Sequence, residues 1–430
     1  MSSASSGFYP AANGEFAAGK HHGGDGFLPE QKENESISKI REYIFDTYSL
    51  SDINDSDLKK EIRKYTDGFK KTKTLPVKER ERITRTVYSS IRGLDIIDEL
   101  LEDDSVSEIM INSYDCIFTE KKGVIRKSSL KFESRRRFED IIERAISMSG
   151  REVNYAMPIA DAILPGGDRV NVVLPPVAVD GPNMTVRKFS KHPMSMETLI
   201  KNGTLTQQAA DFLKELVRAK YNIFVSGGTS SGKTTFLNVL SDYIPENERI
   251  ITIEDSAELR LRNSENLIRL QSRNRNTAGA GEITMRDLIK TSLRMRPERI
   301  IVGEVRGAEA MDMLQAMNTG HDGSLSTGHA NSCADMLLRL ETMVLSADYG
   351  MPLSAVRQQM CSALDIIVHL SRDKDGKRKL IQICEVGKTA DGNIKTNSLF
   401  ERNAKGELKR TKAVFNNTFK LEISGVSGNL

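Results

Sequence analysis

The chain has 430 residues, room for about two to four domains, and 62 Lys+Arg against 59 Asp+Glu leave it near neutral at +3. That balance argues against a protein held on nucleic acid by bulk charge, and no apolar run approaches the ~18 residues needed to cross a bilayer. The opening MSSASSGFYPAANG lacks the basic start and apolar stretch of a secretory signal, so a cytoplasmic chain is expected.

Residues 1–34, rich in Gly, Ala and Ser, read as a disordered tail in which His21 and His22 are solvated. Residues 35–101 are charged and helix-periodic, with Ile40, Ile44, Ile62, Val87, Ile91, Ile96, Ile97 and Leu100 as candidate core positions. A helical bundle or a docking surface would both fit. From 102 to 190 short strands take over, at Glu108 to Asn112, Cys116 to Glu120, Arg169 to Leu174 and Met184 to Phe189, around one helix from Arg136 to Met148. A linker containing Pro193 is expected over 191–206, a nucleotide-binding core over 207–388, and a tail with turns at Asp391-Gly392 and Lys405-Gly406 over 389–430. The four cysteines, Cys116, Cys333, Cys361 and Cys384, form no C-x-x-C pair, so reduced thiols and no zinc site are expected.

The sharpest motif lies in the core. An apolar strand, Tyr221 to Ser226, runs into Gly227-Gly228-Thr229-Ser230-Ser231-Gly232-Lys233-Thr234, with helical spacing from Thr235 to Tyr243. This fills G-x-x-x-x-G-K-[ST]. Glycines let backbone N–H groups close around phosphates, the lysine reaches the β/γ oxygens, and the threonine hydroxyl ligates Mg²⁺ at a helix start. A nucleoside triphosphate is the implied ligand.

Three later segments narrow the chemistry. RIITIED (Arg249 to Asp255), followed by Glu258, is a strand ending in acids, placed as the next parallel strand whose end faces a ligand crevice. Acids there can hold Mg²⁺-bound waters. RIIVGE (Arg299 to Glu304) is a second buried-type strand, and Glu304 is placed to orient a water for attack on a γ-phosphate. Gly303 stands where an aspartate is common, which removes a direct metal ligand there. GHDGSLSTGHANS (Gly320 to Ser332) carries His321 and His329, either structural or able to sense the γ-phosphate.

The order GGTSSGKTT, ITIEDSAEL, MRDLIKTSLRMRPERIIVGEVRG, MNTGHDGSLSTGHANS resembles the secretion and pilus-assembly ATPases, in particular the CpaF-like ATPases of Tad pilus systems. The likeness covers roughly residues 95 to 388 and includes LPGGDRVNVVLPPVAVDGPNMTVRKFS upstream. It implies an α/β fold, a RecA-like P-loop core with a smaller N-terminal α/β domain and a helical extension. It also implies a homo-hexameric ring using ATP and Mg²⁺, docked on inner-membrane platform proteins and so peripheral to the membrane, with no direct nucleic-acid partner. Carried over by position, Gly227 to Thr235 bind the phosphates and Glu304 is the catalytic glutamate. Glu254 and Glu258 join Thr234 around the metal, and His321 and His329 form the His box. Arg169 and Arg187 match arginines that reach the phosphates, and Arg294 and Arg296 are weaker candidates for contacts between subunits. The chain lacks the tetracysteine module usual in type II secretion and pilus-extension ATPases, which favours the CpaF-like or type IV secretion branch. A DNA-directed RecA-like ATPase would want stacking aromatics, absent from Arg269 to Gly281, and a small-molecule kinase would need an acceptor site.

Overall fold

The computed structural model describes residues 30–121, 123–189, 194–273, 281–347, 350–388 and 393–425. His21, His22, the Asp391-Gly392 turn and the tail up to residue 29 lie outside the described residues, as do parts of 191–206 and of Arg269 to Gly281. The chain divides into two compact units between Lys188 and Phe189.

The first unit opens with three helices, α1 (Glu30–Thr47), α2 (Asp55–Gly68) and α3 (Val77–Arg92). Helix therefore begins inside the stretch expected to be tail. Ile40, Ile44, Leu58, Ile62, Ile83, Val87 and Ile91 recur at helical spacing and close a small core of their own. Helix α4 (Ile96–Glu102) belongs elsewhere: Ile97 and Leu100 are buried with the following sheet, so the helical region ends near residue 92 rather than 101. That sheet is built from β1 (Val106–Ser113), β2 (Cys116–Lys121), β3 (Val124–Lys127), β4 (Ile159–Ile163), β5 (Arg169–Val173) and β6 (Asn183–Arg187), with α5 (Arg135–Ser147) packed on one face. Its order is β3-β2-β1-β6-β5-β4, and every pairing is antiparallel. Alternation decides the faces. Val170, Val172, Met184 and Val186 are buried, while Arg169 and Arg187 stand on the other face. The sequence reading missed β3 and β4; β3 is exposed throughout and has no apolar face to signal it.

The second unit begins with α6 (Met196–Lys201) and α7 (Gln207–Arg218). The expected linker thus contains a helix capped by Ser195, and Met196, Leu199 and Leu205 are buried in the core. There follow β7 (Ile223–Gly227), α8 (Lys233–Ser241), β8 (Ile250–Glu254), β9 (Leu267–Gln271), α9 (Met285–Ser292), β10 (Arg299–Val302), α10 (Glu309–Asn318), β11 (Leu325–Gly328), α11 (Cys333–Ser346), α12 (Leu353–Ala363), β12 (Ile366–Arg372), β13 (Arg378–Lys388), β14 (Ile394–Arg402), β15 (Leu408–Arg410) and α13 (Phe419–Ile423). The sheet runs β15-β14-β13-β12-β7-β11-β10-β8-β9, parallel from β12 to β9 and antiparallel beyond. Both faces are covered. Ile223 and Val225 enter one core and Phe224 the other, as do Ile366 and Val368 against Ile367. Near-continuous apolar strands of this kind are what a parallel sheet flanked by helices requires.

The expected tail after 388 is part of this unit. β14 pairs with β13, and Leu399, Phe400, Leu408, Phe415 and Leu421 are core residues. Lys420 fastens the end: its Nζ lies 2.6 Å from Asp322 and 2.7 Å from Asp365. Burial raises the Asp365 pKa, and Lys420 pulls it back down.

Lys420→Met should therefore destabilise the protein by about 3 kcal/mol at neutral pH, because Asp365 keeps its burial and loses its cation. The sign follows from the raised folded-state pKa: the penalty is full above it and fades as pH falls through it and Asp365 takes up a proton. Denaturant midpoints of variant and wild type at two pH values check this; a deficit unchanged on acidification would refute it.

Candidate active site

Strand β7 delivers the phosphate loop. Gly227 opposes Leu370 of β12, and a β-carbon on Gly227 would stand 2.5 Å from the Leu370 carbonyl, so glycine is required there. Gly228, Thr229 and Ser230 are exposed, Ser231 is buried, and Gly232 takes the left-handed φ of 92° that turns the chain into α8. Gly232 is the N-cap and offers no side chain, leaving the first-turn N–H groups of α8 unsatisfied by a cap. Open N–H groups at the positive end of a helix dipole form an anion site. Lys233, the first residue of α8, is buried, and its ammonium donates to the carbonyls of Gly227 (3.1 Å) and Gly228 (3.0 Å). Thr234 is half-buried and Thr235 exposed on the same turn.

Glu304 follows β10, which lies between β8 and β11. Its neighbours are tied on both sides: Gly303 N–H donates to Ile253 O (2.8 Å), Val305 N–H to Thr327 O (2.8 Å), and Thr327 Oγ1 to Gly303 O (2.7 Å). The backbone of the glutamate is thus held by both adjoining strands. His329 comes directly after β11 and faces the phosphate-loop lysine, with Nδ1 3.3 Å from Lys233 Nζ. Its Nε2 lies 2.7 Å from Glu304 Oε1. Desolvation, then Lys233, lowers the His329 pKa, so the ring is neutral at neutral pH. Lys233, His329 and Glu304 form one contiguous row beside the loop. A cleft of about 440 Å³ opens next to it, lined by Gly228, Thr229, His329, Asp335, Arg339 and Thr342.

Glu254 ends β8 and is buried; its Oε1 accepts from the backbone N–H of Glu258 (2.8 Å) and Leu259 (2.9 Å). Its Oε2 is buried with no partner among the described residues, and burial raises its pKa. The missing aspartate before Glu304 now has a reason. A β-carbon on Gly303 would stand 2.9 Å from Glu254 Cγ, so Glu254 occupies the space that a side chain there would need. Mg²⁺ keeps several waters and takes few protein oxygens when phosphates are present. The orphaned Glu254 Oε2 and the Thr234 hydroxyl at the helix start suit such an ion, while Glu258 contributes its backbone N–H to Glu254. Among the described residues no His, Cys, Asp and Glu side chains cluster into a protein-only metal cage.

Not every expected residue joins this group. His321 precedes β11, and its Nδ1 lies 3.2 Å from the Ala316 carbonyl at the end of α10. His321 lies in the turn that leads into the amino end of β11, whereas His329 directly follows its carboxyl end, so the two histidines stand at opposite ends of that strand. Arg169 and Arg187 belong to the first unit, where they are direct cross-strand partners on one face, with Glu108 opposite Arg187 on the other side. Two guanidinium groups set side by side favour an anion between them. Arg294 and Arg296 are exposed. Arg306 escaped the sequence reading: its Nη2 donates to Glu304 Oε2 at 2.7 Å, and its Nη1 lies 3.9 Å from Asp255. The signal was present as a cation two residues after the glutamate. His369 escaped too, since its buried contact with Ser226 Oγ (3.3 Å) exists only through β12–β7 pairing.

A doubly covered parallel sheet, a phosphate loop on its central strand and a glutamate on a neighbouring strand end define a P-loop ATPase with a RecA-like core. Comparison with known proteins specifies it further: the family described as Type II/IV secretion system protein matches residues 91–414. A Mycobacterium tuberculosis relative, provisionally named for conjugal transfer, is 34% identical over 316 residues, 72% of this chain and 89% of that protein. The type IV secretion system protein PtlH of Bordetella pertussis is 35% identical over 260 residues, 54% of this chain and 76% of its own. Among solved structures, the VirB11 ATPase of the Brucella suis type IV secretion system is similar at 27% identity and a TM-score of 0.37, covering 70% of this chain and 95% of that one. The chain belongs to the type II/IV secretion system protein family.

Two outcomes test the site. Gly303→Ala should push Glu254 aside and lower ATP turnover about tenfold or more, with overpacking costing roughly 1–3 kcal/mol of stability; steady-state kinetics and thermal unfolding read both. The acid limb of kcat/KM should lie below the ordinary histidine value of about 6.5, because His329 must first be protonated against its lowered pKa. His329→Gln should remove that limb while leaving the alkaline side in place.

Proposed function

We propose that the chain is the ATP-hydrolysing motor of a secretion or pilus-assembly machine, working as a homo-hexamer on the cytoplasmic face of the inner membrane. The row Lys233–His329–Glu304 beside the open N-terminus of α8 carries this reading. Loop N–H groups and Lys233 bind the β- and γ-phosphates, and Thr234 and Glu254 hold a hydrated Mg²⁺. Bound Mg²⁺ supplies charge neutralisation on the phosphates. Glu304 orients the attacking water, with His329 between it and Lys233 and Arg306 on its other oxygen. Arg169 and Arg187 serve as a phosphate-binding pair, on their own subunit's nucleotide or a neighbour's; their like-charged register supports this. His321, whose Nδ1 lies 3.2 Å from the Ala316 carbonyl, is given a structural place in the turn before β11 in this reading.

No helix among the described residues is long and apolar enough to cross a membrane. In this reading force passes to an embedded platform protein. The Tad-type pilus assignment rests on the sequence resemblance. A conjugal-transfer or type IV secretion motor is the second reading, and the names of the relatives favour it.

Glu304→Gln should bind Mg-ATP while hydrolysing it about 10²- to 10⁴-fold more slowly. Light scattering on this variant, with and without Mg-ATP, should report a nucleotide-stabilised hexamer. A monomer with ATP demonstrably bound would count against the ring, and filaments would favour a DNA-directed ATPase instead.

A further inference from the structure

Strands β12 and β13 are joined by a tight turn in which Asp373 Oδ1 accepts from the backbone N–H of Asp375 (3.0 Å) and Lys377 (2.8 Å). The turn sets Arg372 directly opposite Arg378. Because β12 pairs with β7 up to Leu370 and Gly227, the hairpin rises beside the phosphate loop. Arg378 crosses to that loop. Its Nε donates to the Ser230 carbonyl at 3.3 Å, and its Cδ lies 3.3 Å from where a β-carbon on Gly232 would stand. Ser230 has a φ of 58°, a left-handed conformation that a serine adopts against a steric cost. Neither Arg372 nor Arg378 pairs with an acid among the described residues. Like charge directly across the strands drives Arg378 away from Arg372 and toward the loop.

We propose that Arg378 is a positioning residue of the nucleotide site. By holding the Ser230 carbonyl it keeps Ser230 left-handed, so that the loop stays shaped for a triphosphate before one arrives. The inference rests on reading the loop as a nucleoside triphosphate site. The guanidinium acts through the loop backbone and leaves the reacting atoms alone. It therefore governs how tightly ATP is held and not how fast bound ATP is hydrolysed.

A double-mutant cycle on the full chain tests this. Arg378→Met keeps the stem against Gly232 and removes the donor, and Ser230→Gly removes the cost of the left-handed conformation. Arg378→Met should weaken ATP binding roughly five- to thirtyfold, with turnover at saturating ATP nearly unchanged. With Ser230→Gly already present, the same change should cost about twofold or less. Binding by Arg378→Met equal to wild type would overturn the proposal. A double variant as weak as Arg378→Met would overturn it too, assigning Arg378 to the nucleotide itself. Amide hydrogen exchange across residues 227–235 without nucleotide gives an independent reading: faster exchange in Arg378→Met, suppressed in the double variant, is expected, and unchanged exchange refutes the brace. Wild-type protein that binds no ATP would defeat the functional reading, while the exchange result still decides the role of Arg378. Should Arg378→Met fail to fold, Arg378→Gln takes its place in the cycle.

Discussion

Parallel pairing of β12, β7, β11, β10 and β8 sends their carboxyl ends to a single edge of the sheet, and the chemistry of the second unit depends on that edge. A parallel strand must return by a crossover, so each strand end is followed by a loop free to carry a functional group. β7 ends in the phosphate loop, β8 in Glu254, β10 in Glu304 and β11 in His329. Residues spaced across about a hundred positions meet because the sheet aligns their strands in register.

Close contact at this edge dictates which residues must be small. Gly227 admits the Leu370 carbonyl, Gly303 admits Glu254, and Gly328 admits the ring of Phe224, whose Cε1 would stand 2.9 Å from a β-carbon there. The glycine that replaces the common aspartate at 303 and the glycine at 328 are thus packing solutions. Charge is distributed with the same economy. Glu304 lies between Arg306 and His329, and His329 between Glu304 and Lys233, so alternating groups hold one another in place. The neutral state of His329 follows from burial and from the lysine next to it.

Periodicity and motif are legible in the sequence where they are local: the buried faces of the first helices, strands β1, β2, β5 and β6, and the strand–loop–helix around Lys233. Boundaries are less legible. Met196–Lys201 is too short for a clear helical period, and the strands after residue 388 looked loose because their apolar residues find partners in distant segments, among them β13 and α7. Exposed β3 carries no pattern, and α4 joins the sheet rather than the helices it follows.

By itself the sequence determined which residues could bind phosphate and which acids were available, because those chemistries depend on side-chain type and short spacing. Only the tertiary structure decided which of them share a site. It brought His329 to Lys233 and Glu304, set His321 beyond the far end of the same strand, turned Arg306 onto Glu304, and added His369 and Arg378, which no motif announced. The physical reason is strand register: hydrogen bonds between distant segments, invisible to local spacing, choose the neighbours of each side chain.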